Sequence, residues 1–279
     1  MQTPLDSIPR SAPVRPSEKP VRRLHIGAMG PHSLANPALK RLIDPSWVHL
    51  GDTPEVGGRH ARLRLKDALV ARLRPLKYRL RGIEVPDLDA IRRRTEFRPF
   101  YYQIGDRLDF EDDAFGFVLS EHFFEHLFLD EAAALFAECH RVLRPGGVLR
   151  VSVPDADLRS YEAPEPVGYP SAREKWHEPD KHKTRWSVYS LTYVLRQVGF
   201  DARPVAWCDK FGKRHFSPPE PNAAAYRGVA DPAFVFDLSC LKRGDRSLVV
   251  DAVKPVGGAP PVDAESAARR LHDFPTQQG

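Results

Sequence analysis

Short apolar runs alternate with amphipathic stretches between about residues 21 and 254. Many of these runs are apolar at successive positions instead of every second one, which is typical of strands covered on both faces. Helical patterns separate several of them, which predicts an α/β fold built on a mostly parallel sheet. The first five predicted strands lie at 23–27, 47–50, 100–104, 115–119 and 147–153.

Two helices are predicted from apolar positions spaced three and four residues apart. The first spans about 130–143, with Asp130 as its cap, and the glycine-rich turn at 144–147 stops it. The second follows Ser187 and ends at Gly199. Two later strands bring the predicted sheet to seven strands, at 203–208 and 247–253.

The ends of the chain differ in composition from this body. Residues 1–20 carry five prolines and little apolar periodicity, and 255–279 are rich in glycine and proline at their start. We expect both to be disordered. The prediction is therefore a single domain at 21–254, interrupted by a basic helical insertion at about 57–95.

Composition narrows the class of protein further. The chain has 279 residues and a formal net charge of +5, and no apolar run is long enough to cross a bilayer. The start lacks the apolar core of a secretory signal, and the three cysteines (Cys139, Cys208 and Cys240) have neither disulfide-framework nor metal-ligand spacing. We expect a cytoplasmic protein.

The basic segment 59–81 repeats leucine at helical spacing, and Arg and Lys fill much of the rest. An amphipathic helix packed on the sheet is the expectation, and the alternatives are a helix on an anionic membrane surface and a lid that faces an anion. Aromatic residues are nearly absent, Tyr78 being the exception, so no nucleic-acid partner is expected. The leucines are Leu65, Leu69, Leu73, Leu76 and Leu80.

The segment 106–155 carries the most specific motifs. It contains His122-x-x-Glu125-His126, then RVLRPGG at 141–147, and finally VPD at 153–155. These elements resemble class I, Rossmann-like S-adenosylmethionine-dependent methyltransferases, and more narrowly a bacterial family of predicted methyltransferases often found in surface-polysaccharide clusters. The motif HKTRW at 182–186 and the last strand continue the resemblance.

The resemblance implies S-adenosylmethionine as the cofactor and a methyl acceptor that is a small molecule or a glycan. It implies a cofactor crevice at the carboxyl ends of the strands, near the switch in strand order. The implied cofactor-binding residues are Gly27, Gly30, Asp52, Asp106, Leu108 and Ser120.

Three of these positions depart from the family pattern or have a simpler explanation. Alanine and methionine stand between Gly27 and Gly30, and Gly51 replaces the ribose-binding acid, so that Asp52 is one residue late. Asp106 also fits a plain turn after a glycine.

His122 and Asp155 are the candidate catalytic residues. An imidazole at the end of the fourth strand suits a general base or a substrate contact, and Asp155 suits a hydrogen bond to a substrate hydroxyl. The alternatives are a helix-capping histidine and a turn acid. Glu125 and His126 are expected to brace the loop.

A second group of polar residues consists of side chains that could bind a metal ion. His177, Glu178, Asp180 and His182 lie close together in sequence, but in a proline-broken stretch of the kind that is usually solvated loop. No metal ion is expected there, and a substrate lid is the alternative.

Two other functions compete with methyl transfer. A non-catalytic binding protein on the same fold is favoured by the altered glycine loop, by Gly51, and by Gly116 at a position where relatives carry aspartate. A nicotinamide-dependent oxidoreductase is disfavoured because no G-x-G-x-x-G turn opens a helix.

Overall fold

The fold is known from a computed structural model, which describes residues 22–28, 42–51, 87–159, 182–217 and 247–257, together with positions 73, 76, 79, 80 and 82. The predicted leader at 1–20 and nearly all of the predicted tail lie outside these residues, as does most of the basic insertion.

One mixed sheet of eight strands organises the described residues, in the order β3-β2-β1-β4-β5-β8-β6-β7. The first five strands are mutually parallel, whereas β8 runs antiparallel to both of its neighbours and β7 is antiparallel to β6. The strands are β1 (Arg23–Ala28), β2 (Trp47–Gly51), β3 (Glu96–Pro99), β4 (Phe115–Glu121), β5 (Leu143–Pro154), β6 (Asp201–Cys208), β7 (Arg214–Phe216) and β8 (Ser247–Val253).

The predicted α/β class and mostly parallel sheet are confirmed, but the count of seven strands is one short. The extra strand is β7, which has three residues and forms a hairpin with β6 at the sheet edge. Its residues are only partly buried or exposed, so no apolar run announces it.

The third strand lies earlier than predicted. β3 covers Glu96–Pro99, and the aromatic stretch 100–104 is not a strand. An edge strand keeps polar residues, so its pattern is weak. The aromatic stretch is apolar for another reason: Tyr102 is buried in the core from the connection that follows, and Phe100 packs against that core.

Three α-helices of the described chain are α1 (Leu88–Arg94), α2 (Leu129–Val142) and α3 (Val188–Gln197). The predicted buried face of α2 is confirmed, but its cap is not Asp130. The carboxylate of Glu131 accepts a hydrogen bond from the Phe128 N–H instead. At α3 the predicted start is confirmed, because the Ser187 side chain accepts from the Ser190 N–H.

The end of α2 passes directly into β5. Residues 144–147, predicted as a turn, belong to the strand, and Gly146 takes a φ of +78° there. Further along β5, Arg150 faces Asp251 of β8, and their fully buried side chains form two hydrogen bonds of 2.7 Å. The centre of the sheet therefore contains a fully buried pair of opposite charges.

The basic insertion exposes apolar side chains at the positions that are described. Leu73, Leu76 and Leu80 are helical and 54%, 56% and 79% exposed. The expectation that this segment packs on the sheet is wrong for these three leucines. Among the described residues, no helix is both long and apolar enough to cross a membrane.

Candidate active site

The carboxyl ends of β1 and β4 form the centre of the candidate site. The chain leaves β1 toward β2 on one side and later returns to β4 on the other, so the strand order switches between them. Ligands of open parallel sheets bind beyond the strand ends at this kind of switch. Ile26 on β1 is paired with Ser120 on β4, which brings the last residues of both strands together.

Gly27 lies at a bulge in β1 and has a φ of +86°. A Cβ built on Gly27 would lie 2.7 Å from the Cβ of Phe123, so a side chain is excluded by conformation and by space. The fold therefore requires a glycine at this position, and the cofactor contact predicted for Gly27 stays a prediction. Gly30 lies outside the described residues.

Gly51 ends β2 and is the register partner of Ala28. A Cβ on Gly51 would overlap the carbonyl oxygen of Ala28. A residue with a side chain, such as the ribose-binding acid of the proteins that the sequence resembles, therefore does not fit at position 51 in this backbone. Asp52 lies outside the described residues.

Asp106 lies on an exposed turn instead of at a strand end, because β3 stops at Pro99. Its carboxylate accepts the Gln103 N–H at 2.8 Å, and its own N–H donates to the Gln103 carbonyl at 3.0 Å. Leu108 is 6% exposed and belongs to the core, with its N–H bonded to Glu138. The described contacts give both residues structural roles.

Ser120 is 1% exposed, and its hydroxyl has no hydrogen-bond partner among the described residues. A buried polar group without a partner is destabilising unless a ligand or water satisfies it. The hydroxyl lies at the end of β4, beside the Gly27 bulge. This location fits a polar ligand bound across β1 and β4.

His122 follows β4 with a φ of +52°, a conformation that few residues other than glycine adopt. Its Nε2 lies 3.0 Å from the Ser247 hydroxyl and its Nδ1 lies 3.2 Å from Glu125 Oε1. The backbone N–H of His122 donates a hydrogen bond to the Ser152 carbonyl on β5. Local strain of this kind is often found at functional sites.

Sequence reasoning did not find Ser247 as a partner of His122. The two residues are separated by 125 positions, and only the insertion of β8 beside β5 brings them together. A serine at the start of a strand carries no signal of such a contact.

Asp155 is fully buried, and its carboxylate oxygens accept hydrogen bonds from the N–H groups of Asp157 and Cys208. Burial raises the pKa of Asp155, and these N–H groups and Arg214 act in the opposite direction. The residue thus ties the end of β5 to β6, and the contact with substrate that the sequence suggested for it stays a prediction.

The motif HKTRW docks on the short 3₁₀ turn Phe124–His126 that follows His122. The N–H groups of Lys183 and Thr184 both donate to the Glu125 carbonyl, at 2.6 and 3.2 Å. Glu125 and His126 therefore brace this loop as predicted. Of the polar group near His182, residues 177, 178 and 180 lie outside the described chain.

Residues 70–151 match the family described as "Methyltransferase domain". This segment runs from the basic insertion to the middle of β5, and it includes Ser120 and His122. The match implies S-adenosylmethionine as the cofactor, in agreement with the resemblance seen in the sequence. No curated protein matches the chain significantly.

Several solved structures resemble the chain at low similarity. A putative methyltransferase of Haloferax volcanii, solved with the activator Trm112, is 17% identical, with 86% of this chain and 85% of that chain covered and a TM-score of 0.41. An S-adenosylmethionine-dependent methyltransferase from Aquifex aeolicus is 13% identical, with coverages of 84% and 82% and a TM-score of 0.42. Neither likeness is strong enough to support an argument about substrate or partner.

Proposed function

We propose that this chain, whose residues 70–151 match the methyltransferase-domain family, transfers a methyl group from S-adenosylmethionine to a small molecule or a glycan. The observation that supports this proposal most directly is the pair of polar residues at the end of β4. Ser120 presents a buried hydroxyl without a described partner, and His122 is fixed in a strained backbone conformation two residues later.

The described residues fit the cofactor at the switch between β1 and β4. The Ser120 hydroxyl, beside the bulge at Gly27, supplies a hydrogen-bonding group there. When bound, S-adenosylmethionine supplies a methyl group activated on a sulfonium. The task of the chain is to align the acceptor with that group, because in-line displacement depends on orientation.

His122 is the residue we assign to the acceptor. A hydrogen bond with Ser247 at Nε2 fixes the orientation of the imidazole, and the Glu125 carboxylate lies 3.2 Å from Nδ1. With 21% of its side chain exposed, His122 is reachable from solvent although it is held in place. It would position the hydroxyl or amine that receives the methyl group.

Calorimetric titration with S-adenosylmethionine and S-adenosylhomocysteine, with NAD as the control, is the first test. Saturable binding of the sulfur compounds alone supports the proposal. Absence of binding would instead favour a non-catalytic protein on the same fold. The variant Ser120→Ala should bind both sulfur compounds more weakly.

Turnover of the His122→Ala variant tests the role of that residue once an acceptor has been found by screening sugars and small hydroxyl compounds. We expect turnover to fall about 100-fold, a loss typical of a misplaced reacting group, with little change in cofactor affinity. Ser247→Ala should cause a smaller loss, because it only loosens the ring. His215→Ala, an exchange of a histidine that pairs with Asp209 instead, is the matched control.

A membrane-surface role in addition to catalysis is supported by the leucines of the basic insertion. Leu73, Leu76 and Leu80 recur at helical spacing and are exposed, and Arg79 among them is exposed as well. Apolar side chains flanked by positive charge complement an anionic bilayer, where leucines enter the headgroup region and arginines meet the lipid phosphates.

Vesicle flotation measures this association. The protein should float with vesicles that contain phosphatidylserine, and less so at high salt because salt screens the charges. Leu76→Ser with Leu80→Ser should abolish flotation. If flotation is unchanged in that variant, the leucines do not contact the bilayer.

A further inference from the structure

Glu125, His126 and His182 form a compact group that we call the Glu125 cluster. One potential metal-ligand atom from each side chain can be chosen so that all three lie within 4.8 Å of one another. Two members belong to the 3₁₀ turn after β4, and the third comes from the HKTRW segment. The cluster is therefore assembled by the fold and is not visible as a sequence motif.

Backbone hydrogen bonds hold the two segments in place around this cluster. Besides the two bonds to the Glu125 carbonyl, the Thr184 hydroxyl donates to the Leu127 carbonyl at 2.6 Å, and the Trp186 indole N–H donates to the Phe124 carbonyl at 3.3 Å. Side chains carried on backbone that is fixed in this way are pre-organised for a ligand.

The Glu125 carboxylate is the unusual member of the cluster. Its side chain is 3% exposed, and neither oxygen receives a hydrogen bond from any described residue. The Nδ1 atom of His122 lies 3.2 Å from Glu125 Oε1 but is not aligned for a hydrogen bond. Oε2 is therefore the carboxylate oxygen that is open to a ligand. A buried carboxylate in this condition is strongly destabilising unless a cation pairs with it.

We propose that the Glu125 cluster binds a divalent transition-metal ion of the zinc class. Two imidazoles and one carboxylate are a ligand set that Zn²⁺ uses with a fourth position left open. Ligand atoms around a tetrahedral zinc ion lie roughly 3.4 Å apart, so ligand atoms now within 4.8 Å of one another would close by at most about 1.4 Å. His126 is half-buried, which gives the ion a route from solvent.

Metal binding here would clamp the HKTRW segment onto the turn that carries His122. The rings of His126 and His182 already meet edge to face, with their centres 5.0 Å apart. An ion bridging the rings would fix the two segments together. The inference does not depend on methyl transfer, since it concerns binding alone.

Titration of Co²⁺ into tag-free protein stripped with a chelator tests the site, because Co²⁺ substitutes for zinc and absorbs visible light when bound. We expect one equivalent to bind with the absorption of a tetrahedral site, and the melting temperature to rise. His182→Ala should weaken binding about 100-fold or more, because even residues that only support a ligand contribute 10–100-fold. His215→Ala should bind as the parent does.

Two further variants separate ligation from folding. His182→Cys replaces one zinc-class ligand by another and should recover tight binding with a shifted, sulfur-type absorption, whereas a variant that merely misfolds would recover nothing. Glu125→Gln should weaken binding. Absence of one-equivalent binding, or equal affinity in the parent and the His182→Ala and Glu125→Gln variants, would overturn the proposal.

Discussion

The left-handed backbone at His122 predicts an inverted order of stability between two small replacements. Both His122→Ala and His122→Gly remove the contacts with Ser247 and Glu125, so that loss is common to the two variants. They differ in the backbone, which has a φ of +52° at this position. Alanine is strained there by roughly 1–2 kcal/mol, and glycine is not.

The magnitude follows from two opposing effects. Glycine gains more conformational freedom than alanine in the unfolded chain, which favours the alanine variant by roughly 0.4–1 kcal/mol. The strain of the alanine variant exceeds this, so His122→Gly should be the more stable of the two by about 1 kcal/mol. At ordinary backbone positions the order is the reverse.

Urea unfolding followed by circular dichroism measures the difference, provided that the two variants share the same dependence on denaturant. Ala134→Gly in the interior of α2 is the control and should destabilise the protein by about 0.5–1 kcal/mol. Greater stability of His122→Ala than of His122→Gly would show that position 122 does not adopt the left-handed conformation in solution, and would remove the strain argument for its function.

Other predictions concern two buried histidines, a buried ion pair and a glycine of the sheet. Burial lowers the pKa of both His49 and His140 to about 4, so these rings are neutral in the fold. Their contribution to stability is present above the unfolded pKa near 6.5 and is lost as pH falls toward 4, which urea unfolding from pH 7 to pH 4 should show. The double variant His49→Gln with His140→Gln should make the free energy of unfolding depend less on pH over this range. Arg150→Met alone should destabilise the protein by about 3–5 kcal/mol in urea unfolding, because the Asp251 carboxylate stays buried without its partner Arg150. Addition of Asp251→Leu should recover most of this loss. A double variant as unstable as the single one would contradict the argument. Gly51→Ala should destabilise the protein by about 3 kcal/mol or more, since the new Cβ would overlap a backbone oxygen of β1. An unchanged unfolding midpoint would show that β1 and β2 do not approach this closely.

Local patterns in the sequence determined most of the fold. The apolar runs of β1, β2, β4, β5 and β8 and the helical spacing in α2 and α3 report burial directly, because each element of a covered parallel sheet needs its own apolar residues. Edge strands need fewer of them. This is why β3 was placed on the aromatic stretch that follows it and why β7 was missed.

The residues of the candidate site were predicted less completely than the fold. The fold requires a glycine at position 27, because both its φ and the approach of Phe123 exclude a side chain, whereas its contact with the cofactor stays a prediction. His122 follows β4 as predicted, but its contact with Ser247 was not foreseen. Asp155 follows β5 as predicted, although its carboxylate is buried against β6.

The sequence by itself thus determined the α/β class, the positions of most strands and helices along the chain, and the residues that follow β1 and β4. Only the tertiary structure decided which polar side chains meet: His122 with Ser247, and Glu125 and His126 with His182. The physical reason is that secondary structure follows from periodicity over a few neighbouring residues, whereas a contact between distant segments depends on how the strands are ordered in the sheet, which periodicity does not encode.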